Sequence, residues 1–220
     1  MTEVPELLLI DKPYGITSFD VIRRLRRKLN IKKMGHAGTL DPLATGLMII
    51  GVGAGTKKLT ELVKLDKEYV AEVRIGESRT TGDLEGEVVE SKKVEGLESE
   101  TVVITLGAMV GILELPVSAY SAIKVDGVPM YKRARKAEKT GEVVIEIPLR
   151  QMRVDEAVLI SYEIHKEWVV VTVRFKVGSG TYIRSLAEEL GRRLGYPATL
   201  QNLRRTKVGE FDIKDAQTLD

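Results

Sequence analysis

Along this chain the spacing of apolar residues switches repeatedly between alternation and a helical period, and those switches mark out the elements. Residues 7–10, LLLI, read as a short buried strand that ends at Asp11-Lys12-Pro13. Thr17 offers an N-cap, with Asp20 three residues on in a box-like arrangement. Val21, Ile22, Leu25 and Leu29 then recur at helical spacing while arginines fill the opposite face, which predicts a basic amphipathic helix. Residues 34–46, MGHAGTLDPLATG, carry three glycines and a proline and read as a loop. LMIIGVG reads as a buried strand, KKLTELVKL as a helix, and EYVAEVRIG alternates as a strand.

The second half is less even. TVVITLGAMVG is ambiguous: its β-branched residues favour a strand and its length suits a helix. SAYSAIKV reads as a strand and VPMYKRARKAEK as a helix with Pro129 in its first turn. Residues 142–177 are strand-rich, with EWVVVTVRFKVG the longest candidate. After Gly178-Ser179-Gly180, Thr181 is placed to cap a helix YIRSLAEELGRRLG, and LRRTKVGEF suits a closing strand. Helices mixed with long, closely spaced strands predict an α+β fold: a mixed, mainly antiparallel sheet with helices packed on it. No internal repeat, low-complexity segment or linker interrupts it, so 1–220 is expected to be one domain, with a projecting piece at about 122–148.

Composition narrows the chemistry. The chain has no cysteine, which removes disulfides, thiolate metal sites and cysteine catalysis, and only two histidines, His36 and His165. A histidine-rich metal site is therefore not expected either. The start lacks the basic, long apolar pattern of a signal peptide, and no apolar run approaches the ~20 residues of a membrane span, so a cytoplasmic location and no membrane partner are expected. The net charge is only +2, yet it is segregated. Residues 23–33 hold seven basic residues and no acid, YKRARKAEK and LRRTK are further basic runs, and residues 83–100 hold seven acids against two lysines. Segregated charge of this kind is either a set of solvated helix faces or an electrostatic footprint for phosphate.

Two segments carry candidate chemistry. GHAGTLDPLATG packs His36, Asp41 and three glycines into twelve residues beside the basic helix. A carboxylate in such a loop serves as nucleophile, base or metal ligand, or simply opens an Asp-Pro turn. In GSGTYIRSLAEELG, Arg184 falls near the first helical turn, either as a surface charge or as a guanidinium that holds a carboxylate ionised. GVGAGTKK invites a nucleotide-loop reading, which fails because Thr56 stands where the pattern needs glycine.

Five ordered blocks resemble the bacterial TruB family of tRNA pseudouridine synthases. They are LLLIDKPYGITSFDVI, GHAGTLDPLATGLMIIGVGAGTK, KEYVAEVRIG, SAYSAIKVDGVPMYKRAR, and GTYIRSLAEELG with LRRTKVGEF, and they span about residues 7–218. The resemblance implies the pseudouridine-synthase fold, a central, mainly antiparallel mixed sheet with flanking helices and a cleft across its middle. It implies conversion of the T-loop uridine, tRNA position 55, to pseudouridine by a monomer that needs neither cofactor nor guide RNA. Asp41 falls on the family's catalytic aspartate, Tyr69 on the tyrosine that stacks on the target base, and Arg184 on the arginine that pairs with the aspartate. His36 matches the histidine near the flipped nucleotide, Tyr182 and Leu203 match residues lining the uridine pocket, and Lys12 with Pro13 belongs to the opening motif that supports the loop from beneath; Lys12 is also counted among the substrate-binding residues.

Once RNA is the expected partner, the basic runs have a use, because phosphate contacts fix register without reading sequence. Arg23, Arg24, Arg27, Lys132, Arg133, Arg204 and Arg205 are the candidates, and about 122–148 is expected to grip the T stem-loop. Two departures stand out. ESRTTGDLEG has Thr80 where the family has its first aspartate, with Asp83 retained. The sequence also stops at Asp220, where many relatives continue into a PUA-type domain, so reliance on the T-arm alone is expected.

Overall fold

The computed structural model describes residues 4–118, 124–125, 127–140 and 147–219. In chain order these form β1 (Leu7–Lys12), α1 (Ser18–Leu29), β2 (Met34–His36), β3 (Thr45–Val52), a 3-10 turn (Gly53–Lys58), α2 (Leu59–Leu62), β4 (Lys67–Ile75), β5 (Glu77–Arg79) and β6 (Val88–Ser91). Then follow α3 (Ser99–Gly107), β7 (Gly111–Pro116), β8 (Lys124–Val125), β9 (Val128–Pro129), α4 (Met130–Thr140), β10 (Leu149–Ile164) and β11 (Val169–Val177). The chain closes with α5 (Ile183–Leu194), β12 (Ala198–Val208), β13 (Phe211–Asp212), a 3-10 turn (Ile213–Asp215) and β14 (Gln217–Thr218). The result is a mixed α+β fold, as the sequence pattern predicts. The chain divides into two compact units.

The first unit comprises residues 1–71, 174–180 and 202–220. Its strand order begins β14-β1-β3-β12. β1 pairs antiparallel with β3 and parallel with β14, while β12 pairs parallel with β3 through Arg204↔Thr45 and Arg205↔Gly46. Seven of the eight residues of β3 are buried, so both its faces are covered and its sequence is almost continuously apolar. One face packs Ala37, Leu47, Ile49 and Val208 against Leu7, Leu9, Leu59, Leu62 and Phe211. On α1, Thr17 is the N-cap in a complete capping box with Asp20, and Asn30 ends the helix in the left-handed conformation. The helix buries Val21, Ile22 and Leu25, each worth about 1.5–3 kcal/mol of transfer free energy, and leaves Arg23, Arg24 and Arg27 outward, while Arg26 is half-buried and donates to the Met34 carbonyl at 3.2 Å.

The second unit comprises residues 72–173 and 181–201. Its strand order ends β11-β10-β7, with β7 antiparallel to β10. α3 packs on β10 and α5. It takes in residues 101–107 of the segment TVVITLGAMVG, and a helix is what its inward residues Val102 and Leu106, four apart, permit. α5 buries Leu186, Ala187 and Leu190 and stops at Gly195, whose φ of +79° is the left-handed C-terminal cap.

Several expectations are corrected. The helix expected over 57–65 is a 3-10 turn followed by one short α-helical turn. Part of the expected loop 34–46 forms β2. Pro129 belongs to β9, and α4 starts at Met130. Thr181 does not cap α5: the N-cap is Tyr182, without a side-chain bond, and Thr181 Oγ1 donates to the Arg153 carbonyl. The strand expected at SAYSAIKV lies mostly outside the described residues, as do residues 122–123, 126 and 141–146 of the segment 122–148. No described helix is long and apolar enough to cross a membrane.

Candidate active site

Asp41 lies half-buried in the loop between β2 and β3. The loop's main chain is held on both sides of it. Ser18 Oγ bridges Leu40, accepting from its N–H and donating to its carbonyl, both at 2.8 Å. The Pro42 carbonyl accepts from the Gly15 N–H at 2.9 Å and from Lys12 Nζ at 3.4 Å. The Gly38 carbonyl accepts from Arg205 Nη2 at 3.2 Å, and the Ala44 N–H closes a turn on the Asp41 carbonyl at 3.0 Å. Gly38 and Gly46 adopt φ of +96° and +104°, which side chains disfavour. At Gly46 a Cβ would come within 2.3 Å of the Arg205 carbonyl, so parallel strands β3 and β12 approach closely only because no side chain is there.

Lys12 and Arg205 are the buried cations of this frame. Lys12 is 0% exposed and also donates to the Ile16 carbonyl at 2.7 Å and to the Pro13 carbonyl at 3.0 Å. Its expected contact with substrate is therefore corrected to support of the loop, because a side chain with no exposed surface cannot touch a ligand. Arg205 is 1% exposed and donates Nε to the Leu47 carbonyl at 2.7 Å. It is not a phosphate contact; it ties β12 to β3 and to the loop. Arg204, its neighbour, turns the other way and forms a two-point pair with Asp11, at 2.6 and 3.1 Å. That pairing offsets the charge expected to face phosphate.

His36, at the end of β2, is half-buried. Burial lowers its pKa, the nearby Arg205 charge lowers it further, and a backbone hydrogen bond with Gly38 opposes both. The imidazole is therefore neutral at pH 7. Tyr69 is buried on β4 and Leu203 on β12. The Leu203 carbonyl accepts from Thr45 Oγ1 at 3.4 Å.

In the second unit Arg184 is buried in the first turn of α5, and Tyr182 is half-buried at its N-cap. Arg184 Nη1 donates to the Thr81 carbonyl at 3.1 Å and pairs with Asp83 Oδ2 at 3.4 Å. Asp83 Oδ1 accepts from Thr81 Oγ1 at 2.5 Å and from the Glu85 N–H at 3.2 Å. The loop at 80–86, where Thr80 departs from the family pattern, is thus bound to the helix that carries Arg184. Gly82, with φ of +73°, has no room for a side chain beside Glu188: a Cβ there would meet Glu188 Oε1 at 2.8 Å. Asp83 stands out in the sequence only as a retained residue; its partner lies 101 positions away and no local pattern points to it.

Of the other basic candidates, Arg24 and Arg27 are exposed on the outward face of α1, and Arg23 is exposed but paired with Asp20. On α4, Lys132 is exposed and Arg133 half-buried.

Comparison with known proteins follows the same residues. Residues 26–183 match the model of the TruB family pseudouridylate synthase N-terminal domain, and residues 184–220 match that of the tRNA pseudouridylate synthase B C-terminal domain. The chain is 44% identical to tRNA pseudouridine synthase B of Leifsonia xyli over 216 residues, covering 97% of this chain and 70% of the relative. It is 44% identical to the protein of the same name from Corynebacterium efficiens over 211 residues, covering 96% and 69%. Among solved structures it resembles a chain of a Cbf5-Nop10-Gar1 complex, with a TM-score of 0.71 and 25% identity, over 97% of this chain and 52% of that one. A chain of an H/ACA ribonucleoprotein bound to a substrate RNA containing 2′-deoxyuridine gives 0.69 and 25%, over 97% and 50%, so this chain spans about half the length of either. By these matches, and with its site built on the blocks that carry the likeness, the chain belongs to the TruB family of pseudouridine synthases.

Proposed function

We propose that this protein isomerises the T-loop uridine of tRNA, position 55, to pseudouridine with Asp41 as the nucleophile, acting in the cytoplasm as a monomer without a guide RNA. The observation that carries the assignment of Asp41 is the loop itself: a carboxylate sits where Ser18, Lys12, Gly15 and Arg205 hold the main chain to either side. Support for tRNA as substrate comes from curated relatives named tRNA pseudouridine synthase B.

The reaction breaks the N1–C1′ bond, turns the uracil, forms C5–C1′, and moves the C5 proton to N1. Atoms and electrons balance with no external reagent. An ionised carboxylate can either attack C1′ and release the uracil, or take the C2′ proton and release it by elimination. The target base must leave its stack, at a cost of a few kcal/mol, and an aromatic side chain receives it. In this reading Tyr69 stacks on that base, Tyr182 and Leu203 line the pocket, and the neutral His36 lies beside the flipped nucleotide. Arg184 takes the role that the family resemblance implies, a guanidinium that keeps the aspartate ionised. Arg24 and Arg27, with Lys132 and Arg133, are the cations proposed to meet the RNA backbone, and about 122–148 the part that grips the T stem-loop.

The test is to incubate purified protein and an Asp41→Asn variant with unmodified tRNA and map pseudouridine by carbodiimide-dependent reverse-transcription stops. One stop in the T-loop is expected with the unaltered protein, none with the variant, and RNA binding with both. Stops elsewhere would refute the position, and an active variant would refute the nucleophile.

A further inference from the structure

Lys67 is a buried cation for which the proposed chemistry has no use. It opens β4, two residues before Tyr69 on the same buried face. Its Nζ donates to the Leu65 carbonyl at 2.6 Å, to the Val63 carbonyl, and to Ser179 Oγ at 3.1 Å. Ser179 Oγ in turn donates to the Val63 carbonyl at 2.7 Å, which closes a ring of three groups. One ammonium therefore fastens together the turn after α2, the start of the tyrosine strand, and the loop Gly178-Ser179-Gly180. In the chain that loop leads into Tyr182 and Arg184, three and five residues beyond Ser179.

The surroundings make this charge conditional. The Lys67 pKa is lowered to about 8, first by burial and then by Arg205 on β12, with Asp66 opposing them. Glu68, the next acid in the chain, is turned to Thr206, whose hydroxyl donates to it at 2.8 Å. A hydrophobic residue at position 67 would pack in the same space, whereas the ammonium supplies three donors that the two carbonyls and the hydroxyl use.

We propose that Lys67 is a positioning residue whose charged form clamps the Gly178–Gly180 loop to the strand bearing Tyr69, so that the isomerisation runs only while the clamp is closed. This rests on the function proposed above. The clamp has a consequence opposite to simple unfolding. Between pH 8 and 10.5 the unfolded chain binds more protons at Lys67 than the folded one, so this group's contribution to stability rises with pH. The rate falls over the same range.

The experiment has two arms on the full chain. In the first, single-turnover rates on unmodified tRNA are measured from pH 6.5 to 10 for the unaltered protein, Lys67→Met and Lys67→Arg. The unaltered protein is expected to lose rate about tenfold per pH unit above about 8, as for one essential proton. Lys67→Met is expected to lose on the order of 10²-fold in rate at pH 7.5 with RNA affinity retained, as for misplacement without contact. Lys67→Arg is expected to recover most of that loss and to move the alkaline fall upward. In the second arm, deuterium uptake of the peptide covering residues 174–182 is followed at pH 7 and 9.5, corrected for intrinsic exchange. Uptake is expected to rise on the order of tenfold in the unaltered protein and to be high at both pH values in Lys67→Met. Unchanged protection in that peptide overturns the clamp, whether or not the protein is active. An alkaline fall at the same pH in Lys67→Arg overturns the link to catalysis. If no tRNA is modified at any pH, the proposed function fails and the link to catalysis with it, while the exchange arm still decides the clamp.

Discussion

Two loops carry aspartates that the family resemblance singles out, and the bonds that hold them fall on different parts of the loop. The loop around Asp41 is held by its main chain: Ser18 at Leu40, Lys12 and Gly15 at Pro42, and Arg205 at Gly38. The loop around Asp83 is held through the aspartate side chain, which takes Arg184, Thr81 and the Glu85 N–H. In the first, bonds to the main chain on either side of Asp41 set the place of the carboxylate. In the second, the carboxylate is itself the anchor. Chemistry suits the first design and architecture the second.

The largest expected effect follows directly. Asp41→Asn should lower the rate on the order of 10⁴-fold or more, as when a nucleophile is removed, with a melting temperature within a few degrees of the unaltered protein. A large fall in melting temperature would show that this carboxylate is structural after all. Gly46→Ala should follow, by costing stability rather than chemistry. The new methyl meets the Arg205 carbonyl at 2.3 Å and φ is +104°, so a loss of about 4 kcal/mol or failure to fold is expected in urea denaturation. Near-native stability there would mean that the contact between β3 and β12 relaxes easily. Asp83→Asn removes an anion from beside a buried guanidinium and should cost about 3 kcal/mol, read by the same denaturation. A rate loss with unchanged stability would reverse the comparison between the two loops. The smallest effect belongs to the exposed cations: Arg24→Ala with Arg27→Ala should weaken tRNA binding and reduce the slope of log affinity against log salt by about 1 for each phosphate no longer neutralised. An unaltered slope would remove α1 from the RNA-binding face.

Much of the fold is legible locally. The capping box at Thr17 and Asp20, the apolar stripe of α1 and the alternation of β4 each follow from interactions within a few residues, and each is present. Segment 101–111 is not legible, because apolar residues on nearly every side satisfy a strand or a helix, and only packing on β10 and α5 selects the helix. The polarity of LRRTK is not legible either. Neighbours on a strand point to opposite faces, so Arg204 and Arg205 have to differ, but the sequence does not say which face is covered.

By itself the sequence determined the family, elements such as α1 and β4, and the glycine loop with Asp41 in it, since these depend on residue types at short spacing. Only the tertiary structure decided what the buried cations do. Lys67 and Arg205 resemble surface charges in the sequence, and both, like Lys12, are enclosed in the fold with carbonyl partners. Arg205 meets partners 158 and 167 positions away. A charge is tolerated inside only where distant chain segments bring acceptors to it, and that meeting exists only once the chain has folded.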